Sequence, residues 1–351
     1  MHSYVFPGDL DKEIAAVGSQ PIPYMRTEEF SKINLESERI LLDLIHCQGG
    51  KTIIYTGSGT GAMSAVVENY VSTKGKALAI NGGSFGRRWV SLCEYYGVPV
   101  VDFKVPFAKD IDYDELERTV EAESPEVFLC QHHETSTGQI FNLEKISGIC
   151  HRHNVSLVVD VISTFLAEEL DMDALGIDIC ITSTQKGLNI PPGLSILFIS
   201  KRLEGYEYAH RGYYWDFEDN LGNLKRGQTP FSPATLIYLQ LNARLRQLQV
   251  QGGEMYNISQ VRHRAEVFRE ECRWYGWTMP AENPSNAITA IQTKDTAERR
   301  IFRGLIERYE TFIMPGSLPG FYRISHMGLQ TDEELRTLAE RIHLIETEID
   351  E

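Results

Sequence analysis

Ser183-Thr184-Gln185-Lys186-Gly187-Leu188-Asn189-Ile190-Pro191-Pro192-Gly193 is the stretch on which the reading of this chain turns. A single lysine among small polar residues comes straight after an apolar run, 178–182, and a Pro-Pro-Gly turn leads into a second apolar run, 194–199. Most lysines are solvated surface cations. A lysine at the end of a buried strand is costly unless its ammonium is paired or chemically used. Such a lysine suits a Schiff base with a carbonyl cofactor.

Working outward, further strand candidates lie at 52–55, 77–80, 98–103, 126–130 and 156–160, several of them apolar throughout, as parallel strands buried on both faces are. Helix candidates alternate with them at 61–71, 87–96, 112–123, 143–153 and 170–175. Strand, helix, strand, helix predicts an α/β fold with helices on both sides of a mainly parallel seven-stranded sheet. Residues 201–230 break the pattern and predict an ordered, functional loop ending in Gly227-Gln228-Thr229-Pro230-Phe231-Ser232-Pro233. A long helix is expected at 234–251, continuing through 255–275. After it the order strand, helix, strand, helix predicts a small α/β C-terminal domain. The expected division is an N-terminal segment 1–20, a large domain 21–250 and a small domain 251–351.

Two segments join the lysine. Asp160 ends the apolar run Val158-Val159, at the strand end where open parallel sheets bind ligands. Taken alone it equally suits a helix cap; with Lys186 it supplies the carboxylate that a pyridinium nitrogen needs. Thr56-Gly57-Ser58-Gly59-Thr60-Gly61-Ala62 follows a strand and opens a helix. Its backbone N–H groups and the Ser58 and Thr60 hydroxyls form a candidate phosphate cup. It matches neither a Walker motif nor a dinucleotide fingerprint.

These segments resemble the class V, alanine–glyoxylate-like aminotransferases, fold-type-I enzymes that use pyridoxal phosphate (PLP). The resemblance runs from Pro7-Gly8 to Arg323-Ile324-Ser325-His326-Met327-Gly328. It implies that Lys186 carries the cofactor as a Schiff base and that Asp160 keeps its ring nitrogen protonated. Ser58, Gly59 and Thr60 would take the phosphate, with Gln185 beside them. Asn81-Gly82-Gly83-Ser84-Phe85-Gly86-Arg87 resembles the family's Asn-Gly-x-aromatic-Gly-x-Arg segment and would lay Phe85 on the cofactor ring. Ile162 would pack on the opposite face. His132-His133-Glu134-Thr135-Ser136-Thr137-Gly138 resembles His-Gly-Glu-Ser-Ser-Thr-Gly, so that Thr135 would bond the ring hydroxyl. Thr229 would reach the phosphate of a neighbouring subunit, which implies a homodimer. Arg323 would clamp the substrate carboxylate, as a planar guanidinium can with two parallel hydrogen bonds. Tyr24 is a candidate substrate contact and Arg26 the second choice for the anion. No metal is expected: adjacent His132 and His133 point opposite ways on an extended chain, and no third ligand stands at a suitable spacing.

The chain departs from the family pattern in two places. Gly-Pro-Gly-Pro is reduced to Phe6-Pro7-Gly8-Asp9, and the glycine after the first histidine of His-Gly-Glu is His133. The expected reaction moves an amino group from alanine, serine, a similar small amino acid or a 2-aminoethylphosphonate-like donor to glyoxylate, pyruvate or a related oxo compound, with ping-pong kinetics. Alternatives are a cysteine desulfurase or lyase of the same superfamily and a non-catalytic PLP-fold binding protein. Gln185 rather than His before the lysine, and Cys272 inside a helical pattern, speak against the lyase.

Composition narrows the classes further. Across 351 residues, 34 Lys and Arg stand against 49 Asp and Glu, a formal net charge of −15. Such a surface repels phosphate backbones and anionic lipids, which argues against nucleic-acid and membrane partners. No apolar stretch is long enough to span a bilayer. The N-terminal residues lack a basic-then-apolar leader. Six cysteines without a C-x-x-C pair read as buried reduced thiols. A cytoplasmic location is the expectation.

Overall fold

Seven short strands form the central sheet: β1 (Lys51–Thr56), β2 (Ala77–Asn81), β3 (Val100–Lys104), β4 (Val127–Gln131), β5 (Ser156–Asp160), β6 (Ile179–Ser183) and β7 (Leu194–Ile199). They are described by a computed structural model that covers residues 2–295 and 299–348. The order across the sheet is β1-β7-β6-β5-β4-β2-β3. β7 alone runs antiparallel to its neighbours. A parallel connection needs a crossover of a dozen or more residues, whereas ten residues suffice to turn β6 back into β7. That turn is the lysine segment.

Side-chain alternation assigns each strand residue to one of two cores. Ile54, Leu78, Phe128, Leu157 and Val159 pack with Phe30 and Leu41 of helix Glu28–Leu44 and with Tyr238 and Leu241 of helix Thr235–Gln251. Ile53, Ala79, Leu129 and Val158 pack on the other side with Met63 and Val66 of helix Gly59–Asn69 and with Trp89 and Val90 of helix Ser84–Tyr96. This burial on both faces is why these strands read as continuous apolar runs.

A smaller antiparallel sheet is ordered β8-β10-β9: β8 (Ile288–Gln292), β9 (Met314–Pro315) and β10 (Phe321–Ser325). Helices Gly253–Trp274, Arg300–Tyr309 and Asp332–Thr347 cover it, and Phe268, Leu305, Leu335 and Ile342 fill the core between them. Asp332–Thr347 begins with a capping box between Thr331 and Glu334. At the other end of the chain, His2–Ser3 lies parallel to Thr311–Phe312.

The architecture matches the expected one, with three local corrections. Residues 170–175 form turns rather than a helix: the Asp171 carboxylate accepts the Ala174 amide at 2.8 Å, and the chain reverses at Gly176, φ 60°. The long helix expected to continue past residue 251 is two helices, separated where Gly252 (φ 111°) and Gly253 (φ 76°) turn the chain. The 201–230 segment is not all loop. It holds the short 3₁₀ turn Lys201–Leu203 and a helix, Phe217–Leu224, capped by Asp216. Among the described residues no helix is long and apolar enough to cross a membrane.

Candidate active site

The carboxyl ends of β1, β2, β4, β5 and β6 point to one edge, and the segments that follow them build one cleft. Lys186 stands just after β6 and Asp160 ends β5; only 8% and 5% of their surfaces are exposed. The turn that carries Lys186 needs glycine at its next position, because a Cβ on Gly187 would fall 2.0 Å from the Phe165 carbonyl oxygen. The Thr184 hydroxyl ties the turn shut on the Pro191 carbonyl at 2.8 Å.

Burial raises Asp160 to about 7, and the Ile162 amide and then the charge of Lys186 pull it only part of the way back. Burial likewise lowers Lys186 to about 7, opposed by Asp160 and reinforced by the charges of Arg323 and Arg88. The two groups are therefore held in the same dry, coupled site. A buried carboxylate in this state favours a cationic neighbour, and a lysine in this state is largely uncharged and nucleophilic just above neutrality. One Asp160 oxygen accepts the Ile162 amide at 2.8 Å, the local cap expected of it. The other has no hydrogen-bond partner among the described residues.

The expected phosphate cup is a bare helix start. Ser58 caps helix Gly59–Asn69 in extended conformation but makes no side-chain cap bond, and it is exposed. A Cβ on Gly59 would sit 2.5 Å from Ile162 Cδ1, so glycine lets the helix start touch the Asp160 loop. The Thr60 hydroxyl accepts from Arg88 at 2.9 Å, and the same guanidinium lies 5.0 Å from the Phe85 ring centre. Gln185 is half-buried beside the lysine.

Glu134 organises the Phe85 segment. It is fully buried and accepts the Phe85 and Gly86 amides at 3.3 and 2.9 Å, fixing the start of helix Ser84–Tyr96. Thr135 is also buried, with its hydroxyl 2.7 Å from that of Ser163, which in turn lies 3.0 Å from Nδ1 of His133. Burial holds His133 well below the usual histidine range, so the ring is neutral.

Arg323 reaches this cleft from the centre of the small sheet, where it pairs with Ala290 and Met314. Its Nη1 donates to the Thr135 carbonyl at 2.9 Å and its Nη2 to that of Pro315 at 3.0 Å. Its Nε is buried with no partner among the described residues. The Ser183 hydroxyl and His133 Nε2 are orphaned in the same way. Unpaired buried polar atoms, a bare helix start and a buried lysine and aspartate within each other's field fit a polar, anionic, ring-nitrogen cofactor.

Two candidates fall elsewhere. The Tyr24 ring is 66% exposed, and no hydrogen bond or ring contact links it to the cleft among the described residues. Arg26 is committed to the loop, donating to the carbonyls of Thr229 and Pro230 at 2.5 and 3.0 Å. Thr229 itself bonds the Phe231 carbonyl at 2.8 Å within its own chain. Sequence reading missed Arg88, Glu134, Ser163, Phe6 and Trp215. The arginine that turns inward is Arg88; Arg87 points away to Glu94, at 3.1 Å. Counting the motif forward from Phe85-Gly86 places its arginine at 88, two residues after Gly86, and would have found it. The Trp215 indole lies over the glycine turn, 3.1 and 3.0 Å from where Cβ atoms of Gly57 and Gly61 would stand. Nothing in its local sequence announces that. Cys272 is fully buried and its thiol is pushed up to about 12, which suits packing rather than the catalytic thiol of a lyase.

A mainly parallel seven-stranded sheet with this lysine, aspartate and helix start defines a fold-type-I PLP enzyme. The chain belongs to the class-V aminotransferase family, whose model matches residues 15–208, and it is a PLP-dependent aminotransferase. It is 28% identical over 342 residues to the serine–glyoxylate aminotransferase of Hyphomicrobium methylovorum, covering 92% of this chain and 84% of that protein. It is 27% identical over 349 residues to a protein named soluble hydrogenase, small subunit, of Synechococcus sp., covering 96% and 90%. The crystal structure of alanine–glyoxylate aminotransferase from Nostoc sp. superposes with a TM-score of 0.90 at 23% identity, covering 97% and 93%.

Proposed function

We propose that Lys186 is the residue that bonds the cofactor aldehyde and then moves the donor's α-proton. Asp160 would face the ring nitrogen, Ser58, Gly59 and Thr60 the phosphate, and Phe85 and Ile162 the two faces of the ring. Thr135 would meet the ring hydroxyl, Gln185 the phosphate side, and Arg323 the substrate's anionic group. When bound, the cofactor supplies the electron sink. The protein's part is to hold, orient and keep dry. Asp160, raised by burial, returns toward its ordinary acidity once a cationic ring nitrogen stands beside it. Lys186, lowered by burial, is available as a base near neutrality. The observation that carries this reading is that Lys186 and Asp160 are both buried, each within the other's field, beside a bare helix start.

The donor we propose is a small amino acid, alanine or serine, with glyoxylate or pyruvate as acceptor. The serine–glyoxylate relative supports this. Arg323 supports an anionic group on the donor, carboxylate or phosphonate alike, because its buried Nε–H has no partner among the described residues. A panel of amino donors, including 2-aminoethylphosphonate, tests the assignment: preference for the phosphonate would replace it. We further propose a homodimer in which Thr229 serves the partner's phosphate site, a cytoplasmic location consistent with six buried free cysteines, and the 1–20, 21–250 and 251–351 division. A solution mass near the 39.9 kDa of one chain, with activity intact, would remove the dimer.

A further inference from the structure

Phe6 stands where the family pattern has glycine, and its ring lies against the lysine. Lys186 Nζ is 3.4 Å from the Phe6 ring centre. No acceptor lies within hydrogen-bond distance of that nitrogen among the described residues, so the π face is its one direct polar partner there. We propose that Phe6 is a positioning residue for Lys186: its ring seats the protonated form of the amine when the lysine is not bonded to the cofactor. The proposal rests on the assignment of Lys186 given above.

The ring is held from three sides. The Gly8 amide donates to Asn189 Oδ1 at 2.9 Å and Asn189 Nδ2 donates to the Asp9 carbonyl at 2.9 Å, which ties residues 8 and 9 to the lysine turn. Gly8 also packs directly on Gly328, and a Cβ there would fall 2.6 Å from the Gly328 Cα. The Ser325 amide donates to the Tyr4 carbonyl at 2.9 Å, which fixes the segment to the end of the strand that carries Arg323. The Phe6 ring packs on Ala167, Val261, Ala287 and Met327. A ring so fastened is a fixed surface rather than a side chain that drifts in.

The seat matters because a transaminase lysine is displaced in every half-reaction and must return to the same place. A long aliphatic amine left free in a dry cleft has many rotamers to lose before it can return to one place. A cation over a ring face gains an attraction that grows as water is excluded. The charged groups acting on Lys186 are Asp160, which favours its charge, and Arg323 and Arg88, which oppose it. His133 is coupled to it but is itself kept neutral by burial. Phe6 adds a favourable contact with no charge of its own.

The test separates the face from the bulk. Phe6→Leu keeps the site dry but removes the quadrupole; Phe6→Tyr keeps both. In the cofactor-free enzyme, the rate of reductive methylation of Lys186 with formaldehyde and cyanoborohydride is followed against pH by peptide mass spectrometry. Losing the contact favours the neutral amine, so the pH midpoint in Phe6→Leu should fall by about one unit, a tenfold loss of proton affinity, while Phe6→Tyr stays near wild type. A midpoint unchanged in Phe6→Leu, or moved equally in both variants, overturns the proposal. Borohydride reduction of each holoenzyme locates the cofactor adduct independently. An adduct on Lys186 in all three proteins leaves the site assignment standing whatever the midpoints do. An adduct on another residue overturns both.

Discussion

Arg323→Ala is the sharpest perturbation of the cleft. The guanidinium spends one hydrogen of Nη1 on Thr135 and one of Nη2 on Pro315, while its Nε–H is buried and unspent. Truncation therefore removes two things. The structural part is two charge-assisted bonds to carbonyls, each worth about 1.5–3 kcal/mol. The functional part is the side-on fork for an anion. Leaving a substrate carboxylate unpaired in a dry site costs about 2–5 kcal/mol, roughly 30- to several-thousand-fold in kcat/KM. The cofactor should feel less of this, because among its proposed contacts Arg323 hydrogen-bonds only Thr135, through the backbone carbonyl. Arg323→Lys should recover only part of the loss, since an ammonium cannot span Thr135 and Pro315 and still present two parallel donors. The assay pairs donor and acceptor kcat/KM with cofactor affinity measured by equilibrium dialysis. Donor kinetics equal to wild type, or cofactor affinity falling as steeply as kcat/KM, would refute the assignment of Arg323 to the substrate.

Other outcomes follow from the same geometry. Asp160→Asn should keep the fold, because an amide oxygen can still accept from Ile162, yet weaken cofactor binding by tens- to thousands-fold; unchanged affinity by dialysis would place the ring nitrogen elsewhere. Arg88→Ala removes a charge that opposes protonation of Lys186, so the pH midpoint of Lys186 methylation should rise, whereas a fall would contradict the field described here. Gly187→Ala should destabilise by about 2–4 kcal/mol in denaturant unfolding, since the Phe165 backbone, bonded to the Val161 carbonyl at 2.8 Å just after β5, cannot give way without breaking that turn, and a loss under 0.5 kcal/mol would mean that the turn is slack. His326, fully buried and 2.8 Å from Thr289 Oγ1, is held well below the usual histidine range by burial. Below about pH 6.5 the unfolded chain takes a proton there that the folded one refuses, so stability falls as pH drops. His326→Gln should therefore make the loss between pH 6.5 and 5 smaller by about 2 kcal/mol.

The sheet and its chemical residues were legible because their signals are local. An apolar run ending in aspartate, a lysine beyond a buried strand and a glycine turn opening a helix each declare themselves within ten residues. Arg323 needed only its alternation within a short strand. What stayed hidden depends on distant packing. Trp215 covers Gly57 and Gly61 from a loop some 150 positions away, and Phe6 meets Lys186 across the whole large sheet. Residues 170–175 have helical apolar spacing, but side-chain capping and the docking of Met172 N–H on the Ile45 carbonyl at 3.1 Å outweighed one short turn's propensity. Arg26 was a plausible anion contact until the carbonyls of the 229–230 loop claimed it.

The fastening of residues 2–9 also sets an order of events during synthesis. Tyr4 reaches the Glu334 carbonyl, 330 positions along the chain, and His2–Ser3 needs Thr311–Phe312 as its neighbouring strand. At about 5–20 residues per second, these partners leave the ribosome roughly 15–65 s after residue 4 is made. During that time the β1–β7 sheet can form and Asn189 can already tie residues 8 and 9 to the lysine turn, but the partners of His2, Ser3 and Tyr4 that complete the fastening of Phe6 are still missing. Over that window the Phe6 ring is held against Lys186 by fewer contacts than in the finished chain. The C-terminal strands close that window when they arrive and bring Arg323 with them.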